Sequence, residues 1–335
     1  MTPAAQKMMD RLIRYPSEHG LSDLHIRSGG PMCIRSDGNI LSFEDDPITE
    51  AEIVEFVEAT ATPEQYQQFD ETGDLDYAVQ AQQFRYRVNC MKTIKGSVMV
   101  MRLIVSDIPE IDKLGLPKAV HNVLSKKAGL VLVTGQTGSV KSTSLAAMID
   151  KINRERAEHI ITIEDPVEFV HPDKKSIVSQ REVGAHTDTF AAAIKGALRE
   201  DPDIILMGEM RDLETISMAL TAAETGHLVF GTLHASSAPS TITRLVDAFP
   251  PEQQEMARGM IAGSIQLVLA QRLLPRKGGG RVGCHEVMVG TPAIRNLIRE
   301  DKIPQIPTVM QTGAQFGMFT MEQCFKDLQK RGLVK

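Results

Sequence analysis

Residues 135–143 read Gly-Gln-Thr-Gly-Ser-Val-Lys-Ser-Thr, directly after the apolar run Leu130 to Thr134. A short apolar run closed by glycine predicts a buried strand, and Ser142 to Asn153 continues in a helical pattern. Strand, glycine-rich turn and helix in that order is the setting of a phosphate-binding loop, which commits this part of the chain to an α/β layer. In such a loop the backbone N–H groups of Gly135, Gln136, Thr137, Gly138, Ser139, Val140, Lys141, Ser142 and Thr143 curl around a β-phosphate. Lys141 then reaches the β- and γ-phosphates, and the Ser142 hydroxyl ligates the metal. The expected ligands are ATP and Mg²⁺. Val140 stands where the pattern asks for its second glycine, a position whose backbone costs a β-branched residue about 1–3 kcal/mol. Impaired nucleotide binding or turnover is expected from it.

A chain of 335 residues with 42% hydrophobic and 24% charged residues is ordinary globular protein and long enough for two domains. The formal charge of −6 argues against a protein that coats nucleic acid, so no nucleic-acid partner is expected. Cys33, Cys90, Cys284 and Cys324 are dispersed, without the spacing of a zinc knuckle or a disulfide framework. No stretch reaches about 18 uninterrupted apolar residues. The richest candidate, Gly259 to Leu274, is broken by Ser264, Gln266, Gln271 and Arg272. The chain is therefore expected to be cytoplasmic, with any membrane association made through partners.

Residues 1–106 read as a small α+β domain, with strands at Asp23 to Arg27, Asp74 to Val79, Phe84 to Cys90 and Ser97 to Val105. Asp107 to Pro117, with two prolines and a glycine, is the expected linker. Across 118–335 strands alternate with helices: Leu130 to Thr134, His159 to Ile163, Asp203 to Met207 and His227 to Thr232 predict a parallel α/β sheet. Arg276 to Gly283 reads as a hairpin or mobile loop, followed by a mainly helical tail.

Two acidic segments fall at strand ends, where α/β sheets place their ligands. Glu164-Asp165-Pro166-Val167-Glu168 can hold magnesium through water or polarise a water; the alternative is a solvated turn. Gly208-Glu209-Met210-Arg211-Asp212 follows a buried strand, which makes Glu209 the expected general base, while Arg211 and Asp212 read alternatively as an ion pair. His227 and His234 bracket the next strand; either senses the γ-phosphate or bonds a carboxylate, or else is a satisfied structural histidine. In the first domain Arg85 and Arg87 share one strand face and Arg102 lies on another strand. Such forks suit phosphate oxygens, and a solvated basic face is the alternative.

Taken together, these blocks resemble the secretion-type ATPases, and most closely the PilT family of type IV pilus retraction motors, over essentially the whole chain. Ser22 to Ile26 with Ile34 to Gly38 looks like that family's N-terminal signature. Ile163 to Glu168 looks like its acidic box, Gly208 to Asp212 like its Walker B block, and Gly226 to His234 like its histidine box. Ala293 to Ile298, Ala-Ile-Arg-Asn-Leu-Ile, matches the C-terminal motif that separates retraction from assembly ATPases. The resemblance implies a PAS-like N-terminal domain, a RecA-like P-loop domain with a helical C-terminal tail, and a homo-hexamer acting on platform proteins at an inner-membrane pilus base. It also implies ATP held between the two domains. On it, Arg85, Arg87 and Arg102 close over the nucleotide, Glu209 is catalytic, and Glu164 positions water or magnesium. A nucleotide-responsive subunit with weak or no hydrolysis is the alternative that Val140 favours.

Overall fold

Alternation along strands decides what each sheet can bury. The computed structural model describes residues 1–19, 23–36, 39–43, 47–82, 84–104 and 108–335. Ser22, Asp37 and Gly38 of the N-terminal signature, Val105, and Asp107 of the expected linker lie outside them. The chain divides into two units, Met1–Asp107 and Ile108–Lys335.

The first unit is built on strands β1 (Asp23–Arg27), β2 (Cys33–Ser36), β3 (Asn39–Ser42), β4 (Asp74–Ala81), β5 (Phe84–Thr93) and β6 (Gly96–Ile104). They form one sheet of order β3-β2-β1-β6-β5-β4 with antiparallel neighbours throughout. In β5 Tyr86, Val88 and Cys90 point into an apolar cluster shared with Phe56 and Val57 of the helix Glu50–Thr60, while Arg87 and Asn89 are exposed. That helix and the next, Pro63–Thr72, start with reciprocal caps from Thr49 with Glu52 and from Thr62 with Gln65, which satisfy amides no helical turn can reach.

The second unit carries β7 (Gly129–Thr134), β8 (His159–Glu164), β9 (Ile177–Glu182), β10 (Ile204–Met207), β11 (Leu228–Leu233), β12 (Ile265–Pro275) and β13 (Arg281–Val289). Their order is β13-β12-β7-β11-β10-β8-β9, parallel except for the edge pair β12–β13. Every residue of β7 is buried, as a strand covered on both faces must be. Leu130 and Leu132 enter one apolar cluster with Ile161, Ile163, Ile205, Met207 and Val229. Val131 and Val133 enter a second, with Ile160, Ile204, Leu206, Leu228 and Phe230. Odd and even positions of the same strands thus feed two cores, one on each side of the sheet.

Arg276 to Gly283 falls in the expected hairpin, and two segments are longer or better packed than the sequence suggested. The apolar stretch Gly259 to Leu274 divides into the end of the helix Gln254–Ser264 and most of β12, which pairs with β13, so the region around Pro275 is sheet before it is helix. Only residues 276–280 form the connecting turn. The described part of the expected linker holds a 3₁₀ turn, Ile111–Leu114, and buries Ile111 and Leu116 in the second unit's core. Its prolines stop regular structure without freeing the segment from packing.

Candidate active site

Parallel strands put their C-terminal ends along one sheet edge, and there β7, β8, β10 and β11 deliver, in turn, the loop 135–140, Glu164, Glu209 and His234. Gly135 and Gly138 take φ of 152° and 78°. A Cβ at Gly135 would lie 2.4 Å from Ser139 Oγ and 2.5 Å from the Gln271 carbonyl oxygen, so the loop closes only around glycine there. The helix Lys141–Glu155 then starts from Val140 with no side chain capping its first amides. Those amides and the positive end of the helix dipole suit an anion.

Lys141 Nζ donates to the carbonyl oxygens of Gly135 and Gln136, at 2.9 and 3.3 Å, which folds the cation back over the loop. Burial lowers the Lys141 pKa, while the charges of Glu209 and Glu168 oppose that shift. Ser139 Oγ is buried and has no hydrogen-bond partner among the described residues. A buried hydroxyl without a partner, inside a glycine-shaped loop beside a lysine, fits a triphosphate. Beneath the loop Gln271 Nε2 donates to Ser144 Oγ at 2.9 Å, tying β12 to the helix.

Val140 itself has φ 60° and ψ 34°, the left-handed region, with its side chain 39% exposed. For a β-branched residue this is an outlier, and its strain is intrinsic to the backbone rather than a clash with neighbours.

Glu209 follows β10. Its Oε1 lies 3.2 Å from His234 Nε2 and its Oε2 accepts from Arg211 Nη2 at 2.6 Å. Burial acts to raise the Glu209 pKa, but the Arg211 bond and charge, then His234 and Lys141, outweigh it and hold the carboxyl below its ordinary value. Arg211 therefore pairs with Glu209, and Asp212 instead caps the helix Leu213–Glu224 through the Thr215 amide. His234 also closes one side of a cleft of about 870 Å³ with Gln136, Thr137, Ser240, Arg244 and Asp247. Arg244 donates to the His234 carbonyl oxygen at 2.9 Å. His227 precedes β11, at the opposite end of the strand, and its Nδ1 lies 3.0 Å from the Ala222 carbonyl oxygen; it is a structural histidine away from the loop.

Glu164 Oε1 accepts from Thr162 Oγ1 at 2.7 Å and Gln180 Nε2 at 3.2 Å. Burial pushes its pKa up to about 7, against those two bonds. With the ordinary value at 4.5, the fold binds this proton more tightly than the unfolded chain, so stability falls as pH rises from about 4.5 to 7. Glu164→Gln should remove that component, about 1–2 kcal/mol once partial exposure is allowed for. Urea unfolding of nucleotide-free protein at pH 5 and pH 8 checks it; equal pH dependence in both chains would discard the assignment.

The three arginines of the first unit are placed less simply. Arg87 and Arg102 are direct partners across β5 and β6, but Arg87 pairs with Asp76 at 2.6 Å and Arg102 with Asp23 at 2.8 Å. Arg85 is two residues from Arg87 on the same face of β5 and opposes Ile104. The sheet face alternates charge rather than presenting bare cations.

The motif 293–298 lies in the helix Pro292–Arg299, with Ile294 and Ile298 fully buried and Leu297 against the same cluster. Arg295 donates to the carbonyl oxygens of Gly290 at 2.8 Å, Ala262 at 2.6 Å and Ile265 at 2.5 Å, and to that of Gly263. It thereby satisfies carbonyls that the end of the helix Gln254–Ser264 leaves open. Arg295→Lys, which keeps the charge but loses the planar fork, should cost about 1–2 kcal/mol of stability. A denaturant midpoint unchanged by the substitution would refute this capping role. Elsewhere Glu286 of β13, buried, accepts from the first amides of two helices: Ala238 of Ala238–Asp247 at 2.6 Å and Met321 of Met321–Lys330 at 3.1 Å.

Gln180, Gln271 and Glu286 were not legible because their partners come from elements 16, 127, and 48 and 35 residues away, whereas Thr162 bonds Glu164 within β8 and reads in sequence only as one more strand residue. Gln271 stood out only as a polar break in an apolar run.

A glycine-lined loop on a central parallel strand, answered by an acid at the end of a strand two places away, defines a P-loop nucleoside triphosphatase. Residues 4–316 match the family model for Type II/IV secretion system proteins, and the chain belongs to that family. It is 48% identical over 324 residues to the type IV pilus retraction ATPase PilT of Pseudomonas aeruginosa, covering 96% of this chain and 94% of the relative. It is 44% identical over 332 residues to a twitching motility protein of Neisseria gonorrhoeae, covering 98% and 88%. A solved structure of the pilus retraction motor PilT with bound ADP superposes with a TM-score of 0.90 at 45% identity, covering 97% of this chain and 94% of that one.

Proposed function

We propose that this chain is an ATP-driven motor subunit powering type IV pilus retraction, and hence twitching motility. The observation that carries the reading is the convergence at one end of the parallel sheet of the glycine-shaped loop after β7, whose buried Ser139 hydroxyl lacks a partner among the described residues, with Glu209 after β10, held by Arg211 and by His234 after β11. The relatives in Pseudomonas aeruginosa and Neisseria gonorrhoeae support the pilus assignment.

On this reading residues 135–143 bind the phosphates, Glu209 accepts the proton of the attacking water, His234 and Arg211 orient it, and Glu164 positions water at the metal's side. The Ser142 hydroxyl would hold magnesium, which when bound would offset the negative charge of the phosphates. Among the described residues no group of three His, Cys, Asp or Glu side chains makes a separate protein cage. Arg85, Arg87 and Arg102 are proposed as further cations for the triphosphate; Arg87 and Arg102 must then share their forks with Asp76 and Asp23.

The finer architecture belongs to the same proposal: a PAS-like first unit, a RecA-like second unit with a helical tail, and a homo-hexamer that is cytoplasmic and works on inner-membrane platform proteins. No helix among the described residues is long and apolar enough to cross a membrane, which is consistent with attachment through partners. Phosphate release from ATP by the size-selected oligomer tests the activity. It should require magnesium and vanish in Lys141→Ala, and equal release from that variant would sink the reading. The left-handed Val140 favours a second reading, a nucleotide-responsive subunit with weak hydrolysis.

A further inference from the structure

Two of the four cysteines meet far from the nucleotide loop in sequence. Cys284 lies in β13 and Cys324 in the helix Met321–Lys330. The amide of His285, the residue after Cys284, donates to Cys324 Sγ at 3.3 Å. Cys284 Sγ in turn donates to the carbonyl oxygen of Met321, one helical turn before Cys324, at 3.7 Å. Each sulfur is thus seated against the backbone next to the other. Both side chains join one apolar cluster with Leu328, Val334 and Phe325.

We propose that Cys284 and Cys324 are a peroxide-responsive thiol pair, a modification site that closes to an intramolecular disulfide between β13 and the helix Met321–Lys330. Exposure assigns the roles. Cys324 is half-buried and open to a small oxidant, whereas Cys284 is buried behind it. The chemistry agrees: the neighbouring Cys284 thiol, and after it the His285 amide, lower the Cys324 thiol against its burial, while the same pairing followed by burial pushes Cys284 up. A thiolate is the nucleophile toward peroxide, and a neighbouring thiol is what resolves its product.

In the first step Cys324 thiolate attacks one peroxide oxygen, the O–O bond breaks, and sulfenic acid and hydroxide form. In the second, Cys284 sulfur attacks Cys324 sulfur, the S–S bond forms, the S–O bond breaks and water leaves. Two thiols and one hydrogen peroxide become one disulfide and two waters, so sulfur is oxidised and peroxide oxygen reduced. A metal site is the weaker use of these thiols, because no third ligand joins them among the described residues. Cys33 and Cys90 lie in the other unit and serve as internal controls.

The test treats the full chain with hydrogen peroxide, blocks remaining thiols and maps peptides by mass. The expected result is a cross-linked pair of peptides carrying Cys284 and Cys324, with Cys33 and Cys90 still alkylated. Because the bond closes the segment 285–323 into a loop, the thermal midpoint should rise by several degrees and return with dithiothreitol. Cys324→Ala should abolish both effects. Cys284→Ala should instead leave a sulfenic acid on Cys324 that dimedone traps. Cross-links between chains, over-oxidised Cys324 without a cross-link, or oxidation spread over all four cysteines would each overturn the proposal. None of these readouts depends on ATP turnover.

Discussion

Glu209→Gln should lower phosphate release by about 10²- to 10⁴-fold while leaving ATP affinity within a few-fold of the parent. The substitution keeps the side chain's shape and its acceptor oxygen toward Arg211 or His234, but removes the capacity to take a proton. Both carboxylate oxygens of Glu209 are engaged, by Arg211 at 2.6 Å and His234 at 3.2 Å, so the group is fixed before substrate arrives. Fixing the acceptor is what turns a weak base into an effective one, because the water is delivered to it already oriented. The low pKa has a second consequence. The contribution of Glu209 should persist at neutral pH and fail only as pH falls below the ordinary carboxylate range, where the group protonates. Single-turnover hydrolysis together with equilibrium binding separates the roles: an affinity loss as large as the rate loss would make Glu209 a nucleotide-holding residue instead.

Val140→Gly should tighten ATP binding, by up to about 60-fold, and raise turnover with it. Valine at φ 60° and ψ 34° occupies a region that disfavours a β-branched Cβ by about 1–3 kcal/mol, and glycine carries no such penalty. A loop that must climb into its binding conformation is competent only a fraction of the time, and its apparent affinity falls by that fraction. Glycine also loosens the unbound loop, which offsets about 0.5–1 kcal/mol of the gain. Val140→Ala provides the control, since it removes the branching but keeps a Cβ, and should recover only part of the affinity. Equal affinities for valine, alanine and glycine would remove backbone strain from the account. The same comparison decides between a full motor and a weakly hydrolysing subunit, because strain relief is the change that would restore turnover.

What could be seen in the sequence was local. The run at 130–134, the glycines at 135 and 138 and the lysine at 141 specify strand, turn and helix within a few residues, so the loop needed no tertiary information. Glu209 was legible for a similar reason: a carboxyl placed just past a fully buried strand is already at the sheet edge. The partners were not legible. Gln180 lies in β9, Ile-Val-Ser-Gln-Arg-Glu, a polar edge strand without a clean alternation, and it reaches Glu164 only because β9 pairs with β8. Arg295 reads as an exposed charge on an amphipathic helix; its function depends on a helix end some thirty residues earlier arriving beside it. The prolines at 109 and 117 signalled interrupted structure, which is a backbone property, and gave no measure of whether Ile111 and Leu116 would find a core.

The carboxyl group of Glu286 gives the molecule a pivot. Two helices hang from its two oxygens, one flooring the nucleotide cleft and the other belonging to the last fifteen residues of the chain. One carboxyl therefore has to suit the starts of both helices at once, and losing it in Glu286→Ala would leave two helix-start amides without their acceptor. The start of a helix that lines the cleft and the start of the helix Met321–Lys330 are thus set by one buried acid in β13.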